Sequence, residues 1–296
     1  MLNHIKIKVT IPKKLVLGTA QFGNDYGITN INGKPNKSEV FKIITSAWEK
    51  GVRKFDTASS YGSESFIGEF IVANGLENNQ LDVLTKIPSI SDKNDYRTII
   101  KKNIEDSLEY LKCNIDVLFF HNPKDSKLLL HDPIFFETLL NEYPITSFGS
   151  SVYDPSHIQM LSDCKFDLAF QFPFNVLDRR FEDINMFEGK RYARSIFLQG
   201  LLLPSNPLRV SAPKELIELK KDYDLFLKKH NFNAMSIAIH FVMNNTCNDY
   251  FLVGVESVTQ LEEIFNCEMQ EMNYDNKVKS FISEIDKIWL DPRKWC

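Results

Sequence analysis

Short unbroken apolar runs alternate along this chain with longer stretches whose apolar residues return every three or four positions. The runs are the segments "KLVLGTAQFG", which ends in Gly18 and Gly23, then "RKFDTA", "LDVLTKI", "IDVLFFHNP", "ITSFGSS", "LAFQFPFN", "SIFLQGLLL" and "YFLVGV". Each reads as a strand closed by a turn residue. Between them the spacing changes to that of helices. Val40, Ile43, Ile44, Ala47 and Trp48 mark one helix, stopped by Gly51; Phe66, Ile67, Phe70 and Ile71 mark a second, ending near Gly75. Ile100, Ile104, Leu108 and Leu111 mark a third with a charged opposite face. "DPIFFETLLNEYP", "PSHIQMLSDC", a short "FEDINMF", Pro213 to Lys229, Ala234 to Asn244, "VTQLEEIFNCEM" and "VKSFISEIDKIW" supply further helices. The opening "MLNHIKIKVTIPKK" alternates apolar and basic residues and reads as a short strand entering the fold.

About eight apolar strands, each followed by a helix, predict a parallel sheet buried on both faces. Over 296 residues that rhythm suits a (β/α)8 barrel better than a doubly wound sheet. The doubly wound alternative loses ground because no GxGxxG follows the first strand. No stretch rich in Gly, Pro or Ser divides the chain, so residues 1–296 are expected to form a single barrel domain with a C-terminal helix and tail.

Composition narrows the partners. A net charge of -4 gives no reason to expect nucleic acid or an anionic membrane. No apolar run approaches a membrane span, and the N-terminus lacks the apolar core of a signal peptide. The 5 cysteines are scattered and form no CxxC, which argues against a disulfide framework and a zinc site. A cytoplasmic setting without a bound metal is the expectation.

In a barrel the chemistry gathers at the C-terminal strand ends. There the second strand brings Asp56, with Tyr61 in the loop beyond; the third brings Lys86 and the fourth His121. Singly each has an ordinary structural explanation: a turn aspartate, a half-buried tyrosine, a solvated lysine, a hydrogen-bonded histidine. Jointly, on three consecutive strands, they form a coherent set. A phenol is a poor acid at neutral pH, and a nearby ammonium favours its phenolate. Asp56 can hold Lys86, and His121 can hydrogen-bond a substrate oxygen, giving a general acid aimed at a carbonyl.

These residues resemble the catalytic tetrad of the aldo-keto reductase superfamily, and "GVRKFDTASSYGSESFIG" is similar to its motif around the first pair. The likeness extends from "LGTAQFG" to "GVESVTQLEEI". It implies a (β/α)8 barrel that binds a nicotinamide dinucleotide, with Tyr61 as proton donor, Asp56 and Lys86 tuning it, and His121 orienting the carbonyl. It also implies cofactor contacts. Gly18 and Thr19 match the loop beside the nicotinamide. Ser151 and Gln171 match carboxamide ligands, with Val152 at the place of a family asparagine. Phe197 matches the stacking aromatic; barrel core is the equal alternative. In the last βα unit Gly254 and Gln260 stand where the family has Lys and Arg, with Glu256 near by, while Ser257 and Glu263 match phosphate and adenine contacts; a substitute cation would have to be Arg194 or Arg209, reaching across from the seventh-strand region. NADP is the cofactor implied by family habit, with NAD as the alternative that Glu256 favours. The expected reaction is reduction of an aldehyde or ketone, with a sugar-derived carbonyl suggested by "LGTAQFGNDYGI" and "SIFLQGLLL". The competing class is a cofactor-binding regulatory subunit with little turnover. Tyr26 and Trp295 are candidate pocket walls.

Overall fold

Eight parallel strands close into a barrel in chain order, β1 pairing with β8 to complete the ring. They are β1 (Leu15–Gly18), β2 (Lys54–Asp56), β3 (Asp82–Ile87), β4 (Ile115–Phe120), β5 (Ile145–Ser151), β6 (Leu168–Pro173), β7 (Arg191–Arg194) and β8 (Tyr250–Gly254). This computed structural model describes residues 11–90, 95–183, 188–204, 207–268, 274–283 and 285–295.

The helices around the barrel begin and end where local chemistry requires. The first, α1 (Lys37–Glu49), is capped by Asn36, whose side chain accepts the Glu39 amide, and it buries Val40, Ile43, Ile44 and Ala47. Gly51 ends it at φ +92, a backbone few other residues adopt. Next come α2 (Glu64–Ala73) and α3 (Tyr96–Leu111), the latter capped by Asp95. Pro133 and Pro155 open α4 (Pro133–Glu142) and α5 (Pro155–Gln159), where a missing N–H costs nothing. The later helices are α6 (Lys214–His230), α7 (Ala234–Asn244), α8 (Val258–Phe265) and α9 (Asp275–Ile282).

Alternation along the strands sorts side chains into two cores. Leu15, Leu17, Phe55, Val83 and Phe148 point outward to the helices. Val16, Leu84, Val117, Phe119, Ala169, Tyr192 and Leu252 fill the barrel interior. Phe119 meets Tyr192 edge-to-face at 5.9 Å, and Tyr192 stacks on Tyr250 at 5.0 Å. A Cβ on Gly149 would lie 2.6 Å from the Phe119 ring, so the glycine is what lets that ring cross the barrel. This plug closes the N-terminal end. Two residues farther along, the same inward parity gives Gly18, Asp56, Lys86, His121, Gln171, Arg194 and Gly254: the mouth of the barrel is where inward positions turn polar.

Several elements differ from expectation. The seventh strand lies at Arg191–Arg194, not in "SIFLQGLLL". That segment instead turns through a single 3-10 turn, Leu198–Gly200, with positive φ at Ser195, Leu198, Gln199 and Gly200. Its apolar residues are buried all the same, Ile196, Leu198, Leu201 and Leu202 as loop anchors, which is why they read as a strand. A short helix, Ala20–Gly23, stands where a loop was expected. Of the N-terminal segment, residues 1–10 lie outside the described residues and residues 11–14 are helical. Residues 184–187 of "FEDINMF" also lie outside them, and 181–183 form a turn. α5, α8 and α9 stop short of the expected ends, and the tail continues as two 3-10 turns, Lys287–Leu290 and Pro292–Lys294.

Candidate active site

Asp56, Tyr61, Lys86 and His121 come together at the mouth. The Lys86 ammonium lies 2.7 Å from each Asp56 carboxylate oxygen and 2.8 Å from the Thr57 carbonyl. Both side chains are nearly closed to solvent, Lys86 2% exposed and Asp56 4%. The Lys86 nitrogen also sits 5.1 Å from the centre of the Tyr61 ring. Across from it the Tyr61 and His121 rings meet edge-to-face, 6.0 Å apart.

Local structure explains how Tyr61 is held. It ends a 3-10 turn, Ser59–Tyr61, which Gly62 terminates at φ +70. The loop after β1 then leans directly on it: a Cβ on Gly23 would lie 1.6 Å from the Tyr61 carbonyl oxygen. Only glycine fits there, so Gly23 of "LGTAQFG" is a contact residue and not merely a strand terminator. The Asn24 amide donates to the same carbonyl at 3.2 Å. Thr19 is fully buried; its hydroxyl bonds the Asp56 carbonyl at 3.0 Å and lies 2.8 Å from the Ser63 hydroxyl. It thus ties the β1 loop to β2.

The electrostatics differ from the simplest expectation. Because Asp56 compensates Lys86, the phenol does not face a bare ammonium. Burial is the largest influence on Tyr61 and raises its pKa well above the ordinary value; Asp56 adds to the rise and Arg194 opposes it. Tyr61 is held as the neutral phenol. Burial pulls Lys86 below its ordinary value, against the pull of Asp56. His121 is lowered to about 4 by burial and then by the charges of Lys86 and Arg194, so its imidazole is neutral at physiological pH.

A cavity of about 200 Å³ runs from Asp56 and Tyr61, past Gln171 and Phe197, to Gln260 and Glu263 on α8. Gly18 and Gly254 form part of its floor and Tyr26 part of its wall. Gln171 approaches Asp56 instead of opening to the cavity alone: its amide donates to a carboxylate oxygen at 2.6 Å. Ser151 is buried beside Gln171 in the β5–β6 register. Ser257 caps α8, its hydroxyl accepting the Gln260 amide at 3.3 Å, and the Gln260 side chain accepts the Glu256 amide at 2.8 Å. Trp295 is not a wall of this cavity. It is buried in the tail, its indole donating to the Trp289 carbonyl at 3.0 Å.

Two participants, Gln21 and Tyr153, escaped the reading of the sequence, and a third, Arg194, was expected only as a substitute cation for the nucleotide. Gln21 covers Gly254 so closely that a Cβ there would lie 2.3 Å from its side-chain nitrogen and oxygen. A lysine at 254 would need that space, so an uncharged amide stands where a cation was sought. Arg194 ends β7 and takes the strand-end position; Phe197 lies three residues beyond it. Tyr153, after β5, carries the Arg194 guanidinium 4.2 Å from its ring centre. The limits of β7 put Arg194 at the strand end, a place the sequence reading had not given it.

The family model described as "Aldo/keto reductase family" matches residues 14–289. The chain belongs to the aldo/keto reductase family. Among its relatives, an aldo-keto reductase of Mycobacterium sp. (strain KMS) is 30% identical over 124 residues, 41% of this chain and 44% of that protein. The chain therefore spans less than half the length of that relative. The oxidoreductase YrpG of Bacillus subtilis (strain 168) is 23% identical across 92% of this chain and 91% of its own. A glycerol dehydrogenase of Gluconobacter oxydans superposes with a TM-score of 0.68 at 20% identity, covering 94% of each chain. At that identity the likeness concerns the fold. Aldo/keto reductases use a nicotinamide dinucleotide, and the small and polar residues Gly18, Gln171 and Gln260 line the cavity, in which its nicotinamide end would lie beside Tyr61. The cavity reaches from the phenol to the start of α8 over Gly18, and the Gln21 side chain lies over Gly254.

Proposed function

We propose that this chain is an NAD(P)H-dependent carbonyl reductase in which Tyr61 delivers the proton. The observation that carries this reading is the Asp56–Lys86 pair set beneath Tyr61, with His121 against the same ring. When bound, a reduced nicotinamide supplies the hydride. The protein supplies the rest. His121, neutral, donates one N–H to the carbonyl oxygen and fixes its position. Tyr61, kept protonated by burial, passes its hydroxyl proton to that oxygen as negative charge develops there. The phenolate left behind is stabilised by Lys86, which Asp56 and the Thr57 carbonyl hold in place, so the ammonium acts when charge appears and needs no reorganisation. Gln171 keeps Asp56 oriented. The polar wall made by Tyr26, Thr29 and Gln199 suits a hydroxylated, sugar-derived aldehyde or ketone. The direct test is oxidation of NADPH or NADH, followed at 340 nm with an aldehyde such as 4-nitrobenzaldehyde; no turnover with either nucleotide would refute the reading.

The pH profile follows from the same electrostatics. kcat/KM for reduction should show no limb at the ordinary imidazole value, because His121 gains its proton only near pH 4. A limb near pH 6.5, the ordinary imidazole value, would show that a solvated histidine controls the rate.

For the nucleotide we infer NADP with weak discrimination against NAD. Gly254, covered by Gln21, and Gln260 offer no charge to a 2'-phosphate, and each charge-assisted bond forgone is worth roughly 1.5–3 kcal/mol. Arg209, bonded to the Asn30 carbonyl at 2.8 Å and paired with Asp25, is a cation whose field reaches Glu256. NADPH should be preferred by less than about a hundredfold, and Glu256→Lys should move the preference toward NADPH by roughly tenfold, about 1.4 kcal/mol. Fluorescence titration of both nucleotides measures this. A preference of several thousandfold, unmoved by the substitution, would place phosphate recognition elsewhere.

A further inference from the structure

Three arginines gather around Tyr153 at the edge of the catalytic cavity. Arg293, from the C-terminal tail, lies 3.6 Å from the ring centre and Arg194 lies 4.2 Å from it. At such distances the two guanidinium groups must occupy opposite faces, with the ring between them. Arg180 donates to the Tyr153 carbonyl at 3.1 Å. Two of the three are neutralised: Arg293 by Asp291 and Arg180 by Asp178. Arg194 has no carboxylate within ion-pair distance among the described residues; its hydrogen bond is to the Val152 carbonyl, at 3.4 Å.

That leaves a half-buried guanidinium with no directly bonded carboxylate on the wall of the cavity that holds Tyr61, the charge of Asp178 reaching it only at longer range. Its field is felt at Tyr61, Lys86 and His121. An uncompensated charge in a partly desolvated site is unfavourable unless an anion arrives to meet it. The anion is not expected to come from the far end of the dinucleotide. β7 lies between β6 and β8, and Arg194 reaches past β6 toward Val152, away from Gly254 and α8. Stacking on Tyr153 fixes the guanidinium plane, and with one N–H directed to Val152 an edge remains for a planar, two-oxygen partner.

We propose that Arg194 is a specificity residue that binds a carboxylate on the substrate, so that the preferred carbonyl compounds are oxo acids or aldehyde acids. This rests on the reductase reading above. Arg194 bonds the carboxylate and leaves the carbonyl to Tyr61 and His121, while the tail, through Arg293, backs the Tyr153 ring that orients it.

The test compares matched substrates under initial-rate conditions: succinate semialdehyde against methyl 4-oxobutanoate, and 4-carboxybenzaldehyde against methyl 4-formylbenzoate. The acid should exceed its ester in kcat/KM by roughly 10- to 100-fold, mainly through KM. In Arg194→Gln the ratio should collapse toward one, and Arg194→Lys should keep part of it; using the ratio cancels effects common to both substrates. Circular dichroism and a thermal melt confirm that each variant is folded, and nucleotide titration is read separately. Equal use of acid and ester by the unmodified enzyme, or a ratio that survives Arg194→Gln, would overturn the proposal while leaving the reductase reading intact. A preference for glyceraldehyde 3-phosphate over glyceraldehyde, without one for the carboxylates, would refute the carboxylate assignment. An Arg194→Gln variant that weakens nucleotide binding as much as it weakens turnover would assign Arg194 to the dinucleotide. No turnover of any substrate would remove both readings together.

Discussion

Tyr61→Phe is expected to lower kcat for carbonyl reduction by at least about a hundredfold while leaving the dinucleotide Kd within roughly threefold. The substitution removes one hydroxyl and keeps the ring that meets His121 edge-to-face and lies over Lys86. Packing at the mouth should therefore survive, and with it the cavity. The lost atom is the one proton source placed over the compensated ammonium; His121, titrating near pH 4, cannot substitute as an acid at neutral pH. Stopped assays at saturating aldehyde, with fluorescence titration of the nucleotide, separate chemistry from binding. A kcat near that of the unmodified enzyme would refute Tyr61 as the donor.

The second large effect concerns the buried ion pair. Lys86→Met should reduce turnover severely and should also destabilise the fold, by about 3–5 kcal/mol, the usual cost of breaking such a pair from one side. Asp56 would remain enclosed with the Gln171 amide as its surviving side-chain partner. Asp56→Asn combined with Lys86→Met should recover much of the stability without the activity. Thermal melts of the four proteins across pH 4–8 measure this. If Lys86→Met alone melted like the unmodified enzyme at pH 7, Asp56 and Lys86 would not be the interdependent pair that their contacts describe.

The sequence by itself determined the fold class and singled out the four residues that the barrel brings together at its mouth. Eight apolar runs with helices between them specify the barrel, since a run buried on both faces has few other homes. Asp56, Lys86 and His121 were legible because each is polar directly after such a run, and parity in a strand converts that position into direction. Tyr61 was legible from its place just beyond Asp56. The seventh strand failed on the same principle. Burial selects apolar residues whether the backbone is extended or turned, so the loop at 195–203 looked more like a strand than Arg191–Arg194 did. With it went the strand-end position of Arg194, which the sequence offered only as a distant cation for the nucleotide. The tertiary structure alone decided which contacts these side chains make. Gln171 reaches Asp56 across 115 positions of sequence, Gln21 covers Gly254 because β1 and β8 close the ring, and Arg293 meets Tyr153 only because the tail folds back over the mouth. It also decided the protonation of Tyr61. A sequence can set an ammonium near a phenol, but whether the phenol feels the ammonium depends on burial and on which carboxylate already holds it, and both are properties of the packed chain.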